Sequence, residues 1–292
     1  MFKLIKDKHS ILTISPLPSL DKVKEHYKNI YFQEVTSQNY QKFYTEKELK
    51  HYKNKSEYYL KLFEKFTGIN PSNVFEPGYG EGFTLSYFKN KNIEIYGVDL
   101  SQEGLYSHNK VLLENQNIIQ GSFEEKIYFD KKFDLIILDH FLEHVYDIDK
   151  TMDNLKKYVN EKTIVIITVP NEFNAIQKNY LLNKDLEKEQ APWIQNIEHL
   201  RYFQPSSLDK LLTNYGFKRI SNIMSDFPID INILSEESNY YNDPKLGKNP
   251  YMLKLIFEDL LFNNSFEDYL ELCSAFAKNN VGRNLTAVFK LN

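Results

Sequence analysis

The sequence is poor in cysteine and contains no long apolar run. Cys273 is the only cysteine among 292 residues, which excludes an internal disulfide and a zinc or iron–sulfur site built from cysteines. A single thiol suits a reducing compartment, so we expect a cytoplasmic protein. The amino-terminal stretch interrupts its apolar residues with charge and proline, and no later run reaches membrane-spanning length. We therefore expect no signal peptide and no membrane span.

Arginine is also scarce. Arg201, Arg219 and Arg283 are the only arginines in a chain with 36 basic residues. The planar arginine fork is the group best suited to phosphates and base edges. The formal net charge is -4 and the isoelectric point is near 6.0, so no long-range field attracts nucleic acid or an anionic membrane. The composition therefore argues against a nucleic-acid partner.

Short apolar runs alternate with helical patterns after a turn signal at residues 68–72. The runs VFEP, EIYGVD, NIIQG, DLIILD and TIVIITVP are near-continuous, which is typical of buried parallel strands. FKRISNIM and NLTAVFKL predict a sixth and a seventh strand. This alternation predicts an α/β fold with a doubly wound, Rossmann-like sheet that is mostly parallel.

The pattern divides the chain into four parts. Residues 1–70 are predicted as a helical lead-in and a lid, and residues 71–224 as the core of the fold. Residues 225–283 form a helical insertion on the acceptor side, and residues 284–292 form the last strand of the core sheet. The lead-in contains KSEYYLKLFEKF, whose apolar residues recur at helical spacing.

The stretch VFEPGYGEGF carries a glycine-rich loop. Gly78 and Gly80 fit the dinucleotide fingerprint G-x-G-x-x-G, but Phe83 stands where its third glycine belongs, and Gly82 lies one residue early. Glu76 would repel a pyrophosphate placed at the following helix and would attract a cation. The loop therefore predicts a cofactor that carries positive charge.

Asp99 ends the next predicted strand, about twenty residues beyond the loop, where an acidic side chain accepts hydrogen bonds from ribose hydroxyls. A nucleoside with a cationic group fits Glu76 and Asp99 better than a dinucleotide does. S-adenosylmethionine is such a molecule, because it carries an ammonium, two ribose hydroxyls and a sulfonium.

Over residues 74–222 the chain resembles the class I S-adenosylmethionine-dependent methyltransferases. The resemblance rests on FEPGYGEG, GVDLS, FDLIILDHFLEHVYD and EHLRYFQPSSLDKLLTNYGF. It implies S-adenosylmethionine as the cofactor. The implied contacts are Glu76, Gly78, Tyr79 and Gly80 around the methionyl part, Asp99 at the ribose, Leu100 at the adenine, and Ser122, Phe123 and Asp139 nearby. The family often has an aspartate where this chain has Ser122.

The segment DHFLEHVYD contains the string H-x-x-E-H at His140, Glu143 and His144, which matches the inverzincin metalloprotease signature. The string directly follows a buried strand, which is the wrong context for that protease. Some relatives that methylate quinone precursors are thought to bind a divalent ion here. The alternative is that Glu143 and His144 organise the loop through hydrogen bonds. We favour this alternative and assign no metal ligands.

His199 and His140 are the candidate catalytic residues. In EHLRYF, His199 stands where many small-molecule members of the resembled family carry a histidine. A neutral imidazole there can remove a proton from a hydroxyl or an amine as the methyl arrives. Its alternative role is capping and loop packing. His140 lies nearer the strand end, where the methyl should emerge, and is the second candidate for proton acceptance or substrate contact.

The segments PLPSLDKVKEHYKNIYF, FPIDINILSEESNYY and NNVGRN resemble bacterial members found with surface-polysaccharide genes. We therefore expect a small-molecule acceptor and O-methylation of a sugar, a sugar nucleotide or a related metabolite. N-methylation of a small amine or amide is the nearest alternative. An NAD-dependent oxidoreductase, a non-catalytic cofactor-binding subunit, and methylation of RNA or protein are the others. Arg283 either holds an anionic group of the acceptor or forms a structural ion pair with an acid of the insertion.

Overall fold

The structure is a computed structural model that describes residues 2–29, 31, 43–195, 197–234 and 244–292. The strands are β1 (Lys3–Lys6), β2 (Leu12–Ser15), β3 (Asn73–Pro77), β4 (Glu94–Asp99), β5 (Ile118–Gln120), β6 (Leu135–Asp139), β7 (Ile164–Pro170), β8 (Arg201–Tyr202), β9 (Phe217–Arg219), β10 (Met224–Ser225) and β11 (Asn284–Leu291). The α-helices are α1 (Leu20–Asn29), α2 (Glu46–Thr67), α3 (Phe83–Asn90), α4 (Glu103–His108), α5 (Ile148–Lys156), α6 (Ala175–Asn183), α7 (Pro205–Asn214), α8 (Pro244–Asn264) and α9 (Phe266–Lys278).

The main sheet has the strand order β10-β11-β7-β6-β3-β4-β5, and β9 also pairs with β11. Strands β3 to β7 run parallel to one another. Strand β11 runs antiparallel to β7, β9 and β10. The predicted α/β sheet is thus confirmed. Its sixth strand differs from the prediction, because FKRISNIM is interrupted and forms β9 and β10 along one edge of β11.

Two apolar cores lie on the two faces of this sheet. One face packs α5 and α7 through side chains such as Met152, Leu155 and Leu211. The other face packs α2, α3 and α9, with Leu62 and Phe88 fully buried. Helices on both faces explain why the central strands are apolar on both sides, as the sequence pattern indicated.

Helix α2 begins and ends at well-defined signals. Thr45 and Glu48 form a capping box, and Gly68 ends the helix in a left-handed conformation with φ of 74°. The helix packs on the sheet face and ends just before the strand that leads into the glycine loop. Helix α7 likewise ends before Gly216, which has a φ of 84°.

Within the lead-in predicted for residues 1–70, the first residues form strands, and helices begin only at Leu20. Strands β1 and β2 form an antiparallel hairpin, and β2 also pairs with β8. The Asp7 side chain accepts hydrogen bonds from the amides of His9 and Ile11, at 2.8 and 2.9 Å, and closes the turn. This local side-chain bonding favours a turn over a helix.

Helices α8 and α9 occupy the segment predicted as a helical insertion and pack against α2 and β10. Residues 32–42, from the end of PLPSLDKVKEHYKNIYF onward, and residues 235–243, which include the end of FPIDINILSEESNYY, lie outside the described residues. None of the helices in the described ranges is both long and apolar enough to cross a membrane.

Candidate active site

The glycine loop lies beyond the carboxyl end of β3 and is tied to the end of β4. Gly78 and Gly80 have φ angles of 72° and 51°, a left-handed conformation that glycine adopts without steric cost. The amide of Gly80 donates to Asp99 Oδ2 at 2.9 Å, and the amide of Gly78 donates to the carbonyl of Val98 at 2.8 Å. The loop and Asp99 therefore form one unit, as the sequence predicts for a cofactor site.

Glu76 is buried at the end of β3. Its Oε2 atom accepts no hydrogen bond from any residue in the described parts of the chain. Burial and the neighbouring Asp139 raise the pKa of Glu76 well above its usual range. An unpaired buried carboxylate is costly unless a positive group meets it, so Glu76 fits the ammonium of a methionyl group.

Asp99 combines a fixed position with spare acceptor capacity. Its two oxygens accept hydrogen bonds from the amides of Gly80 and Ser101, at 2.9 and 3.0 Å. Each carboxylate oxygen has a second lone pair, which can accept a ribose hydroxyl. Burial raises the pKa of Asp99 to about 6. Leu100 follows with a side chain that is 40% exposed, which suits the predicted contact with an adenine ring.

Two predicted cofactor contacts have side chains that point elsewhere. Tyr79 is 4% exposed and packs in the core on the α2 face. Phe123 is equally buried and packs on the rings of Phe75 and Phe141. Their predicted roles are therefore restricted to backbone contacts, because apolar packing fixes both rings. Ser122 stays partly exposed, and its hydroxyl accepts a hydrogen bond from the amide of Glu124 at 3.3 Å.

Asp139 and His140 form a charged pair at the end of β6. Lys55 Nζ lies 2.7 Å from Asp139 Oδ2, and His140 Nδ1 lies 2.8 Å from Asp139 Oδ1. Burial opposes ionisation, but Lys55 and His140 hold the pKa of Asp139 below its usual range. Sequence patterns gave no sign of Lys55, because α2 brings it to β6 only in the folded chain.

The hydrogen bonds of His140 restrict its chemistry. Its Nε2 atom lies 3.1 Å from Asn284 Oδ1. The Asn284 amide is oriented by Asp226, which accepts its Nδ2 at 2.7 Å. Both ring nitrogens of His140 thus lie against acceptor oxygens, which fix the orientation of the ring. Proton acceptance by His140 would require one of these two contacts to change.

Glu143, His144 and His199 form a second cluster beside the same strand end. The rings of His144 and His199 lie 4.8 Å apart. Burial raises the pKa of Glu143 to about 7 and lowers that of His144 to about 3. Burial and His144 lower the pKa of His199 well below its usual range. His199 Nδ1 has no hydrogen-bond partner in the described parts of the chain, so it can accept a proton.

The side chains of this cluster are suitable metal ligands. The cluster contains His199 in place of His140, the first histidine of the H-x-x-E-H string. Ligand atoms of Glu143, His144 and His199 all lie within 4.8 Å of one another, whereas His140 turns to Asp139 and Asn284. The string forms a turn, since α5 begins only at Ile148. The sequence favours a role for Glu143 and His144 in organising the loop through hydrogen bonds. The hydrogen bonds of His144 agree with that role, whereas the Glu143 side chain forms none among the described residues.

His144 Nδ1 lies 2.9 Å from the carbonyl of Glu198 and 2.6 Å from the hydroxyl of Tyr27 on α1. Neither carboxylate oxygen of Glu143 has a hydrogen-bond partner among the described residues. It is the backbone carbonyl of Glu143 that helps to hold the loop, because it accepts a hydrogen bond from the amide of Leu200 at 2.9 Å.

Two arginines have structural partners. Arg201 is buried, and its guanidinium donates to the carbonyls of Val145 and Tyr146 in the loop after β6. Arg283 Nη1 lies 3.2 Å from Glu172 Oε1 in the loop after β7 and 4.0 Å from Asp230. The structural interpretation of Arg283 therefore fits better than an acceptor contact. Sequence reasoning missed the role of Arg201, because its partners are backbone atoms.

A chamber of about 90 Å³ lies beside the carboxyl ends of β6 and β7, beneath α8 and α9. His140 and Thr168 line its inner side, and α2 contributes Tyr59. Its outer side carries Lys254 and Glu258 of the insertion. The lining combines hydroxyl, amide and charged groups with apolar side chains such as Met224 and Phe262. The chamber lies beyond the carboxyl ends of the strands, the usual ligand position in open α/β sheets.

Comparison with known proteins agrees with the fold. A family profile described as a methyltransferase domain matches residues 51–222, more than half of the chain. The ubiquinone biosynthesis O-methyltransferase of Rickettsia bellii is 23% identical over 191 residues, covering 62% of this chain and 78% of the relative. That of Rickettsia canadensis is 23% identical over 190 residues, covering 62% and 79%.

Two solved structures share the fold at low sequence identity. The plantazolicin methyltransferase BamL, solved with a desmethylPZN analog and SAH, has a TM-score of 0.52 and 16% identity, covering 82% of this chain and 85% of that one. A SAM-dependent methyltransferase from Archaeoglobus fulgidus has a TM-score of 0.50 and 18% identity, covering 84% and 94%. Together with the profile match, these findings show that the chain belongs to the methyltransferase domain family and is an S-adenosylmethionine-dependent methyltransferase.

Proposed function

We propose that the enzyme methylates a hydroxyl group of a small polar acceptor, such as a sugar, a sugar nucleotide or a related glycan precursor in the cytoplasm. The chamber beside Asp139 and His140 carries this proposal, because its lining combines hydroxyl and charged groups with apolar side chains. An acceptor that forms hydrogen bonds fits the hydroxyl and charged groups better than a wholly apolar ligand does. S-adenosylmethionine supplies an activated methyl group when bound.

The residues at the strand ends have separate proposed roles. Glu76 binds the ammonium of the cofactor, Asp99 binds its ribose, and the backbone of the glycine loop approaches its methionyl part. His199 is the proposed proton acceptor, because its Nδ1 atom is unpartnered among the described residues. This nitrogen would take up the proton that the acceptor hydroxyl loses on methylation. His140 is the second candidate.

A phenolic hydroxyl is the second candidate acceptor. The Rickettsia relatives named above are called ubiquinone biosynthesis O-methyltransferases, and a quinone ring in its reduced form carries phenolic hydroxyls. A phenol needs less help in losing its proton than a sugar hydroxyl does. The two acceptors therefore differ in how strongly turnover depends on a base.

The decisive experiment is methyl transfer from labelled S-adenosylmethionine to three panels: nucleotide sugars, catechols and small amines. We expect a labelled methyl ether on a sugar hydroxyl. Transfer to catechols alone would favour the phenolic acceptor, and transfer to amines alone would contradict O-methylation.

Two variants then test the proton acceptor in single turnovers at saturating acceptor. We expect His199→Ala to slow transfer by about 100-fold or more with nearly unchanged cofactor affinity. His140→Ala is the matched comparison. If only His140→Ala slows the chemical step, the proton acceptor has been assigned to the wrong histidine.

A further inference from the structure

The outer side of the chamber is built around a buried lysine. Lys254 of α8 has a side chain that is 9% exposed, and its Nζ lies 2.5 Å from Asp226 Oδ2. Burial opposes its charge, but Asp226 and Glu258 raise the pKa of Lys254 above its usual range. Lys254 is therefore charged, and Asp226 is its principal partner.

Glu258, one helical turn later on α8, is less completely paired. Its Oε1 atom accepts the amide of Phe227 at 3.1 Å and lies 3.9 Å from Lys254 Nζ. Its Oε2 atom lies 3.7 Å from His51 Nδ1. Distances of 3.7 and 3.9 Å are too long for hydrogen bonds. Among the described residues, Oε2 therefore has no donor, although the Glu258 side chain is only 8% exposed.

The charges around Glu258 do not balance. Asp226 and Glu258 share the single cation Lys254. Burial, together with Lys254, lowers the pKa of His51 to about 3, so this ring is neutral. Lys55 and Asp259 also line the chamber, but each is already paired at 2.7 Å, Lys55 with Asp139 and Asp259 with Lys50. This side of the chamber thus holds one more acidic group than basic groups, and it favours a ligand that donates hydrogen bonds.

We propose that the chamber binds the acceptor, and that Glu258 Oε2 selects acceptors carrying a second donor, a hydroxyl or an ammonium, besides the methylated group. This inference rests on the proposed function and deepens it. His140 and Thr168 line the inner end of the chamber, at the carboxyl ends of β6 and β7. Glu258 of the insertion lines its outer end. A Gln side chain retains an acceptor oxygen for Phe227 but has no negative charge.

The test uses methionine methyl groups as reporters. Met224 lines the chamber, whereas Met152 is fully buried in the core on the opposite face of the sheet. Protein labelled with ¹³C-methyl methionine and saturated with S-adenosylhomocysteine is titrated with glucosamine, glucose or benzoate in slightly alkaline buffer. Burial raises the pKa of Glu258 to about 7, so the carboxyl is ionised there.

We expect glucosamine and glucose, but not the donor-free benzoate, to shift the Met224 signal while the Met152 signal stays fixed. Glu258→Gln should weaken glucosamine binding about tenfold or more, because a charge-assisted hydrogen bond is lost. Glu271→Gln, at an exposed position on α9, is the matched control and should change nothing.

A Met224 signal that responds to neither sugar, or a glucosamine affinity that Glu258→Gln leaves unchanged, would overturn the inference. This readout requires no methyl transfer. If the protein methylates a hydroxyl acceptor but its Met224 signal does not respond to the sugars, only the assignment of the chamber is refuted. A responsive Met224 in a protein that methylates only amines would refute the proposed function alone.

Discussion

At the scale of single residues, the site is defined by carboxyl groups that burial leaves short of partners. Glu76 and Glu143 are almost fully buried, and each has a carboxylate oxygen with no hydrogen-bond partner in the described residues. Asp99 has backbone partners but retains acceptor capacity. Such groups cost free energy in the protein alone, so their presence at one strand edge indicates that bound molecules complete their interactions.

The first prediction concerns Asp99. In Asp99→Asn, an amide that cannot accept replaces one carboxylate oxygen, and the charge is lost. We expect the dissociation constant for S-adenosylhomocysteine to rise at least about tenfold, measured by calorimetry. Asp130→Asn, at an exposed position, is the control. An unchanged constant in folded Asp99→Asn would remove Asp99 from the cofactor site.

The second prediction concerns the pH dependence of stability at Glu143. Burial raises its pKa in the folded state from 4.5 to about 7, so the folded protein binds this proton more tightly than the unfolded chain does. Its contribution to stability is therefore fully present below pH 4.5 and is lost as the pH rises through 7. The full difference corresponds to roughly 3 kcal/mol.

Glu143→Gln cannot ionise, so its free energy of unfolding should fall less steeply over this pH window than that of the wild type. Urea unfolding at a series of pH values measures the difference. Parallel curves for the two proteins would show that Glu143 has an ordinary pKa in the folded state.

At the scale of elements, helix α2 connects the carboxyl ends of the sheet strands, the cofactor edge, with the insertion. It carries Lys55 to Asp139 and places the hydroxyl of Tyr59 3.1 Å from Thr168 Oγ1 on β7. Near its beginning, Lys50 pairs with Asp259 of α8 at 2.7 Å. The position of this helix therefore fixes side chains on two sides of the chamber, and its amino-terminal cap matters beyond local stability.

The third prediction concerns that cap. Thr45→Ala removes the side chain that accepts the amide of Glu48. We expect the free energy of unfolding to fall by about 1 kcal/mol, measured by urea denaturation. Thr213→Ala, at an exposed position late in α7, should have little effect. Equal stability of Thr45→Ala and the wild type would mean that the capping box contributes nothing to folding.

At the scale of the whole molecule, buried polar contacts attach the insertion to the sheet. Asp226 follows β10, accepts the amide of Asn284 on β11 at 2.7 Å and pairs with Lys254 on α8. Through Asn284 the same network reaches His140 at the end of β6. Cofactor edge, chamber and insertion are thus parts of one connected structure.

The fourth prediction tests this attachment. Lys254→Met keeps a long apolar side chain but leaves Asp226 without its cation. We expect a loss of about 3 to 5 kcal/mol in the free energy of unfolding, and partial recovery in the double variant with Asp226→Asn. Lys278→Met, at an exposed position on α9, is the control. A Lys254→Met protein as stable as that control would show that the pair does not hold the insertion in place.

The sequence by itself determined the core of the fold and much of the cofactor edge. Continuous apolar runs identified the parallel strands, because a strand covered on both faces needs apolar residues on both. The glycines that require positive φ and the acids Glu76 and Asp99 lie at fixed distances along the chain from strand ends. Local chemistry was sufficient for these features, and the turn signal at residues 68–72 marked the end of α2.

Only the tertiary structure decided which distant groups meet. Nothing local to α2 or α8 shows that Lys55 contacts Asp139 or that Lys254 contacts Asp226, since those pairs depend on how helices pack over the sheet. The sequence string joined His140 to Glu143 and His144, whereas the fold turns His140 to Asn284 and brings His199 into its place. Ion pairs and buried clusters depend on three-dimensional packing, and spacing along one segment does not encode it.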